Sequence, residues 1–180
     1  MKLHQNKQLF QEAVIAASQR FDIPQLYIEK DYWVTLALYE IFHSAIASEA
    51  VFKGGTALAK CLKLIERFSE DIDIVVLRKA GERDNQLKKK IKTITNVVAK
   101  VMPEIEIEGI TNKMGKIRKT ANEYNKAGFA GNFGQVRNFV VVEAAWLGSY
   151  EPFTNEVVSC YIAELFQDTK QEALIKEYKR

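Results

Sequence analysis

The sequence contains few of the residues on which several classes of protein depend. Its 180 residues include two cysteines, Cys61 and Cys160, and two histidines, His4 and His43. Two thiols make no disulfide framework, and no cluster of cysteine and histidine has the spacing of zinc ligands. So small a supply of histidine also disfavours a catalytic triad built on that residue.

Long apolar runs are missing as well. The first residues, MKLHQNKQLFQEA, are polar and lack the apolar centre of a signal peptide. The apolar run at residues 32–39 is too short to cross a membrane and lies between Asp31 and Glu40. We therefore expect no membrane partner and a bacterial-type cytoplasmic location.

Charge of neither sign dominates. The 26 lysines and arginines against 23 acidic residues give a formal net charge of +3, with 47% apolar and 27% charged residues. These fractions are typical of a soluble globular protein, and the length suits one domain with a core, or one domain with an appendage. The mild positive charge permits a nucleic-acid partner without requiring one.

The informative stretch is residues 51–76, VFKGGTALAKCLKLIERFSEDIDIVV. It predicts a strand, a Gly-Gly-Thr turn, a helix that begins near Thr56, and a second strand. Gly54 and Gly55 have no β-carbon, so their amides can approach an anion closely. The amino terminus of the helix would add partial positive charge at the same place, which suits a phosphate.

The second strand carries two acidic residues two positions apart. Asp71 and Asp73 would share one side of the strand, while Ile72, Ile74 and Val76 would face the core. Paired carboxylates suit Mg²⁺, a hard cation that prefers oxygen ligands and commonly also binds substrate phosphates. A phosphate-binding turn followed by such a pair indicates chemistry on a nucleoside triphosphate.

These residues resemble the signature of the nucleotidyltransferase superfamily. The wider context resembles the AbiEii/AbiGii toxin family, which are abortive-infection nucleotidyltransferases of type IV toxin–antitoxin systems. The matching stretches are EKDYW at 29–33, FKGGTAL at 52–58, RFSEDIDI at 67–74 and EAAWLGSYEPFT at 143–154. The resemblance implies an α/β (α+β) fold: the minimal nucleotidyltransferase fold, with a small mixed sheet flanked by helices.

The same resemblance implies a function. A nucleotidyl group would pass from a nucleoside triphosphate to a hydroxyl of an RNA acceptor, such as the 3′ end of tRNA, and a cognate antitoxin would be the protein partner. Asp71, Asp73 and Glu143 would be the catalytic, metal-binding carboxylates for Mg²⁺. Gly54, Gly55 and Thr56 would hold the β- and γ-phosphates.

Two further residues are candidates for phosphate contacts. Arg67 would neutralise the leaving pyrophosphate and Ser69 would donate to a phosphate oxygen. A salt bridge to Glu66 or Glu70 is an equal alternative for Arg67, and capping of a turn is the alternative for Ser69.

Glu143 is also unusual on its own terms. It interrupts VRNFVVVEAAW at residues 136–146, which is almost entirely apolar and therefore predicts a central strand. A charge there is costly unless it is paired or bound to metal, so the choice lies between a third metal ligand and a salt bridge at the strand end. Glu106 and Glu108 are weaker candidates, because their strand alternates and is half exposed.

The rest of the chain predicts the frame around the site. We expect helices over residues 3–21, 24–47 and 84–101, strands over 104–111 and 113–120, and a helical tail from residue 152. Residues 1–150 would form the nucleotidyltransferase-like domain and 151–180 the start of a helical carboxy-terminal part. Relatives carry a further lysine/aspartate motif in that part, which nothing after Trp146 matches, so we expect a fragment or a reduced variant.

Three features have open interpretations. Glu29, Lys30 and Asp31 could touch the site, but a solvated helical edge is favoured. The loop at 124–135 is either a plain connection or a flap whose aromatics stack on bases. If RNA is the acceptor, a basic helix face and a basic strand would line a groove leading to Asp71; their members are Lys88, Lys89, Lys90, Lys92, Lys113, Lys116, Arg118 and Lys119.

Two other functions compete with transfer to RNA. A non-catalytic nucleotide- or protein-binding module of the same fold would fit the missing carboxy-terminal motif. A glycosyltransferase could use the D-x-D pair, but the Gly-Gly-Thr turn upstream argues against it.

Overall fold

The computed structural model describes residues 2–64, 69–129, 136–147 and 152–178. The helices are α1 (Lys7–Phe21), α2 (Gln25–Phe42), α3 (Gly54–Lys60), α4 (Asp84–Ala99), α5 (Tyr161–Asp168) and α6 (Glu172–Tyr178). The strands are β1 (Ala50–Lys53), β2 (Asp71–Val76), β3 (Glu104–Ile105), β4 (Ile117–Glu123) and β5 (Phe139–Ala145). Short 3-10 helices cover Leu3–Gln5 and Ala47–Glu49.

The strands form one mixed sheet in the order β1-β2-β5-β4-β3. β2 and β5 run parallel, and the other neighbours are antiparallel. β5 lies in the centre of the sheet, between β2 and β4, as its apolar sequence predicts. The predicted α/β class, a small mixed sheet flanked by helices, is confirmed.

Helices cover one face of the sheet. Ile72 and Ile74 of β2 and Val142 of β5 are fully buried and join one apolar core with residues of α1, α2 and α4. α2 is buried on all sides, with twelve of its eighteen residues inaccessible to solvent. Because side chains alternate along a strand, the residues between these core positions point to the opposite face. That opposite face carries Asp71, Asp73 and Glu143.

The tail packs onto the same core. Cys160, Ile162, Leu165 and Phe166 lie buried beside α1 and α2. The predicted division of the chain near residue 150 stays a prediction. Within the described residues, no helix is both long and apolar enough to cross a membrane.

Several element boundaries differ from prediction. The strand expected over 104–111 is limited to the two residues of β3, and the next strand begins at Ile117 instead of residue 113. Gly109 and Gly115 have φ values of +75° and +73°, so the chain turns where an extended strand was expected. α3 begins at Gly54 and ends at Lys60, so Cys61 follows the helix and is half-buried.

Candidate active site

A row of four charged residues crosses the sheet on the face away from the helices. In the pairing of strands, Asp73 lies opposite Lys53 of β1 and opposite Glu143 of β5. Glu143 in turn lies opposite Lys119 of β4. Asp71 is two residues from Asp73 and shares its face. The register therefore brings Asp71, Asp73 and Glu143 to one surface, as the sequence predicts for the aspartate pair.

Asp71 is bound by an arginine that sequence analysis did not select. Nη1 of Arg137 lies 2.7 Å from Oδ1 of Asp71. Both side chains are partly exposed, at 41% for Arg137 and 39% for Asp71. Arg137 lies just before β5, so the parallel pairing of β2 and β5 brings it to the start of β2.

Asp73 is partly buried next to the Gly-Gly-Thr turn. Burial first, and then the carboxylates of Glu143 and Asp71, raise the pKa of Asp73 above its ordinary value. The backbone of Gly54, with φ of +81°, lies directly against this carboxylate. A β-carbon at residue 54 would overlap Oδ2 of Asp73, so only glycine leaves room for the acid here.

Glu143 has a cationic partner. Nζ of Lys119 lies 3.3 Å from Oε2 of Glu143, and both side chains are about one-third exposed. The salt bridge weighed as an alternative is thus present, on the same surface as the aspartates. Glu106 and Glu108 are exposed and follow the edge strand β3, which β4 and β5 separate from β2.

The hydroxyl of Thr56, in the Gly-Gly-Thr turn, is hydrogen-bonded to the hydroxyl of Ser69, which lies just before β2. Oγ1 of Thr56 donates to the carbonyl oxygen of Asp71 and shares a hydrogen bond of 2.8 Å with Oγ of Ser69. Thr56 is only 1% exposed, so its hydroxyl fastens α3 to the start of β2. Contacts of Gly54, Gly55, Thr56 and Ser69 with phosphate stay predictions, and Arg67 lies outside the described residues.

The prediction that Glu29, Lys30 and Asp31 form a solvated helical edge is wrong, because all three are buried. Oε1 of Glu29 accepts a hydrogen bond of 2.6 Å from the amide of Ala127. Oδ2 of Asp31 accepts one of 3.0 Å from the amide of Tyr161. Each acid therefore anchors a segment that is distant in the chain.

Asp31 also makes an ion pair with Lys60 at the end of α3. The buried carboxylate thus joins α2 and α3 to the start of α5. No local sequence pattern marks this link, because Lys60 and Tyr161 lie far along the chain from Asp31.

Lys30 connects the ends of the two strands that carry the site. Its Nζ donates to the carbonyl oxygens of Arg137, at 2.7 Å, and of Phe139, and pairs with Glu70 at 3.2 Å. Burial lowers the pKa of Lys30 to about 8, although the nearby Glu70 carboxylate opposes this shift. Lys30 contacts none of the three site carboxylates within this network. It fixes the backbone next to Asp71 and at the start of β5.

The prediction that basic residues line a groove leading to Asp71 is wrong for most of those residues. α4 packs on the helical face of the sheet, so its exposed lysines Lys88, Lys89 and Lys92 lie on the far side from Asp73. Lys90 pairs with Glu49 and Glu82.

On the strand side, Arg118 points toward α4, where its Nε donates to Oγ1 of Thr95 at 2.7 Å. Lys113 pairs with Glu104 at the edge of the sheet. Lys119 follows Arg118 directly in the strand, so its side chain points to the opposite face, where the carboxylates lie. Of the basic residues on β4, this lysine is the one that the register brings to the site.

The loop at 124–135 is described only as far as Phe129. Tyr124 is buried and stacks on Trp33, with ring centroids 5.3 Å apart. Ala127 is also buried, so this part of the loop belongs to the core and Tyr124 has no face free for a base. The rest of the loop, residues 130–135, lies outside the described residues, so the choice between a flap and a plain connection stays open there.

Asp71, Asp73 and Glu143 are suitable ligands for Mg²⁺, because all three offer carboxylate oxygens and all three lie on one face of the sheet. Their side chains do not converge: among the described residues, no three Asp, Glu, His or Cys groups are arranged to hold a metal ion. Arg137 and Lys119 are bound to two of the three carboxylates. Cations therefore already interact with this surface.

Comparison with known proteins gives two matches. The family model of the AbiEii nucleotidyl transferase toxin of type IV toxin–antitoxin systems matches residues 36–176. Among solved structures, the chain is similar to MenT4, a nucleotidyltransferase toxin of Mycobacterium tuberculosis H37Rv, with 19% identity and a TM-score of 0.37. That match covers 78% of this chain and 44% of MenT4, so this chain matches less than half of the length of MenT4.

No curated protein matches the chain significantly. The family model, however, covers well over half of its residues, including both strands that carry the site carboxylates. On that coverage, the chain belongs to the AbiEii nucleotidyl transferase toxin family.

Proposed function

We propose that the chain carries the catalytic centre of a nucleotidyltransferase. The reaction would transfer a nucleotidyl group from a nucleoside triphosphate to a hydroxyl acceptor and release pyrophosphate. The observation that supports it best is the register that sets Asp73 opposite Glu143, with Asp71 on the same face. Membership of the AbiEii family supports the same reaction.

In this proposal Asp71 and Asp73 hold Mg²⁺, and Glu143 completes the carboxylate set. When bound, Mg²⁺ would supply charge neutralisation at the triphosphate and would lower the pKa of the acceptor hydroxyl. A bond forms between the acceptor oxygen and the α-phosphorus, and the bond from that phosphorus to pyrophosphate breaks. Glu143 receives the proton of the hydroxyl, because it is the carboxylate next to the aspartate pair.

The turn at the start of α3 is proposed to bind the β- and γ-phosphates. Gly54, Gly55 and Thr56 would act through their amides, because the hydroxyl of Thr56 is bound to Asp71 and Ser69. Arg67 and Ser69 are proposed as further phosphate contacts.

The biological setting is proposed from the family. The acceptor would be RNA, such as the 3′ end of tRNA, and the chain would act in the cytoplasm as the toxin of an abortive-infection system. Its protein partner would be a cognate antitoxin.

A direct test incubates the protein with each labelled nucleoside triphosphate, Mg²⁺ and total RNA, and detects labelled RNA on a gel. We expect labelling by the wild type and none by the double variant Asp71→Asn/Asp73→Asn. Asp168→Asn is the matched control, since it makes the same chemical change in an exposed ion pair with Arg20. Equal labelling by the double variant would refute the carboxylate assignment.

A second candidate is a non-catalytic binding module of the same fold. It is favoured by the ion pairs that Arg137 and Lys119 make with Asp71 and Glu143, because these cations stand where a metal would be expected. Binding of nucleotide without transfer to any RNA, to protein or to a second nucleotide would support this module over the enzyme.

A further inference from the structure

Arg137 combines a fixed backbone with an exposed charge. Its amide donates to both carboxylate oxygens of Glu70, at 3.3 Å each, and its carbonyl oxygen accepts from Nζ of Lys30 at 2.7 Å. Lys30 is fully buried, and its ammonium bonds to three acceptors: Glu70 and the carbonyl oxygens of Arg137 and Phe139. All three donors of the lysine are thus used in holding this part of the chain.

The side chain of Arg137 is not held in the same way. Its guanidinium reaches Asp71 at the surface, and Nε lies 3.9 Å from Glu70, so the bond to Asp71 is the one hydrogen bond that the guanidinium makes to a described residue. Ion pairs between partly exposed side chains are weak and are readily exchanged. The buried Lys30–Glu70 pair therefore sets the position of Arg137, while the guanidinium is free to change partner.

A metal ion and a guanidinium bound to the same carboxylate would repel each other. A metal ion on Asp71 would therefore favour displacement of the guanidinium, and the displaced charge would remain within side-chain reach of the site because the backbone is fixed. A guanidinium matches the oxygens of a phosphate group through two parallel hydrogen bonds. The incoming triphosphate brings the anion that the displaced arginine requires.

We propose that Arg137 stays in its ion pair with Asp71 until metal and nucleotide bind, and that its guanidinium then binds the triphosphate. This inference rests on the proposed function and adds to it a phosphate-binding residue that begins as a competitor of the metal. The two roles have opposite signs in binding experiments: Arg137 weakens the binding of metal alone and strengthens the binding of polyphosphate with metal.

The test uses the full chain with two probes, Mn²⁺ alone and inorganic tripolyphosphate in the presence of Mg²⁺, each titrated calorimetrically. For Arg137→Gln we expect Mn²⁺ to bind about two- to fivefold more tightly, the worth of a lost exposed ion pair. We expect tripolyphosphate to bind about tenfold or more weakly, because a charged hydrogen bond is lost. Arg137→Lys keeps the charge and should fall between wild type and Arg137→Gln for tripolyphosphate.

The matched control is Arg20→Gln, which removes an arginine from a somewhat more exposed ion pair, the one with Asp168. It should change neither titration. If Arg137→Gln weakens both probes, Arg137 acts only by holding the site together, and if it changes neither, Arg137 is a bystander; either result overturns the inference and leaves the proposed function standing. A wild-type protein that binds neither probe would overturn both.

Discussion

Gly54 lies so close to Asp73 that a β-carbon on residue 54 would overlap Oδ2 of the aspartate. The same residue has φ of +81°, a conformation that glycine adopts without strain, and it starts α3 directly after β1. The first glycine of the Gly-Gly-Thr turn is thus required by a carboxylate of the site as well as by the turn itself.

The first prediction concerns this contact. Gly54→Ala should lower the free energy of unfolding by about 1 to 2 kcal/mol, the cost of a left-handed backbone for a residue with a β-carbon. It should also weaken Mn²⁺ binding, because Asp73 must move away from the new methyl group. Urea unfolding and calorimetric titration measure the two effects.

Gly81→Ala is the control for that prediction. Gly81 has nearly the same φ, +80°, but a β-carbon there would meet nothing within 4 Å. We expect a similar loss of stability with unchanged Mn²⁺ affinity. Equal losses of Mn²⁺ affinity in both variants would show that the contact with Asp73 is not the cause.

The second prediction concerns the burial of the Asp73 carboxylate and its repulsion by Glu143 and Asp71. Because the pKa of Asp73 is raised, the folded protein holds that proton more tightly than the unfolded chain does. The stability that protonation gives is present at low pH and is lost as pH rises above the ordinary pKa of aspartate. Asp73→Asn, which stays uncharged, should therefore raise the free energy of unfolding at neutral pH by about 0.2 to 1 kcal/mol.

Urea unfolding with a chelator present measures this effect without metal. Asp71→Asn is the comparison, because Asp71 has the ion pair with Arg137 and should give no such gain. An Asp73→Asn variant that is less stable than wild type would contradict the prediction.

The third prediction concerns the buried lysine. Lys30→Met should lower the free energy of unfolding by about 3 to 5 kcal/mol, because Glu70 is left without its buried partner. Adding Glu70→Gln should recover part of the loss, since the uncharged amide no longer needs a cation. Lys88→Met, at an exposed position of α4, should change stability by less than about 0.5 kcal/mol. Similar stabilities for Lys30→Met and Lys88→Met would refute the role given to Lys30.

The fourth prediction separates the two faces of the sheet. Changing Lys88, Lys89 and Lys92 together to glutamine should leave the proposed transfer to RNA nearly unchanged, because α4 covers the face opposite the carboxylates. Lys119→Gln, on the carboxylate face, should reduce transfer, because it removes the ion pair that holds Glu143, the proposed proton acceptor. RNA binding measured over a range of salt concentrations tests the same point, since each lost phosphate contact lowers the slope by about one. A flattened slope in the triple variant would place RNA on the helical face.

The local pattern of the sequence was enough to predict the two faces of β2. Alternation along Asp71–Val76 separates acidic from apolar side chains, and the structure has this separation. The apolar sequence around Glu143 likewise predicted a central strand, because burial on both faces leaves little room for polar residues. These predictions succeeded because each depends on neighbours within one strand.

The parts that failed depend on distant partners. Glu29, Lys30 and Asp31 look like an exposed edge in sequence, and their burial is explained only by Ala127, Arg137 and Tyr161, which lie far along the chain. Arg137 likewise became a site residue only through the parallel pairing of β2 with β5. The charge of these residues was visible in the sequence, but their partners were not.

The position of β5 between β2 and β4 also governs when the site can exist during synthesis. β2 and β5 are neighbours in space, yet the whole of α4, β3 and β4 is made between them. Contacts between distant segments form late and slowly in folding. During synthesis, Asp71 and Asp73 are added to the chain long before Glu143. The unfinished chain therefore lacks the complete carboxylate set. The three carboxylates therefore come together only after the central strand has been made and inserted between β2 and β4.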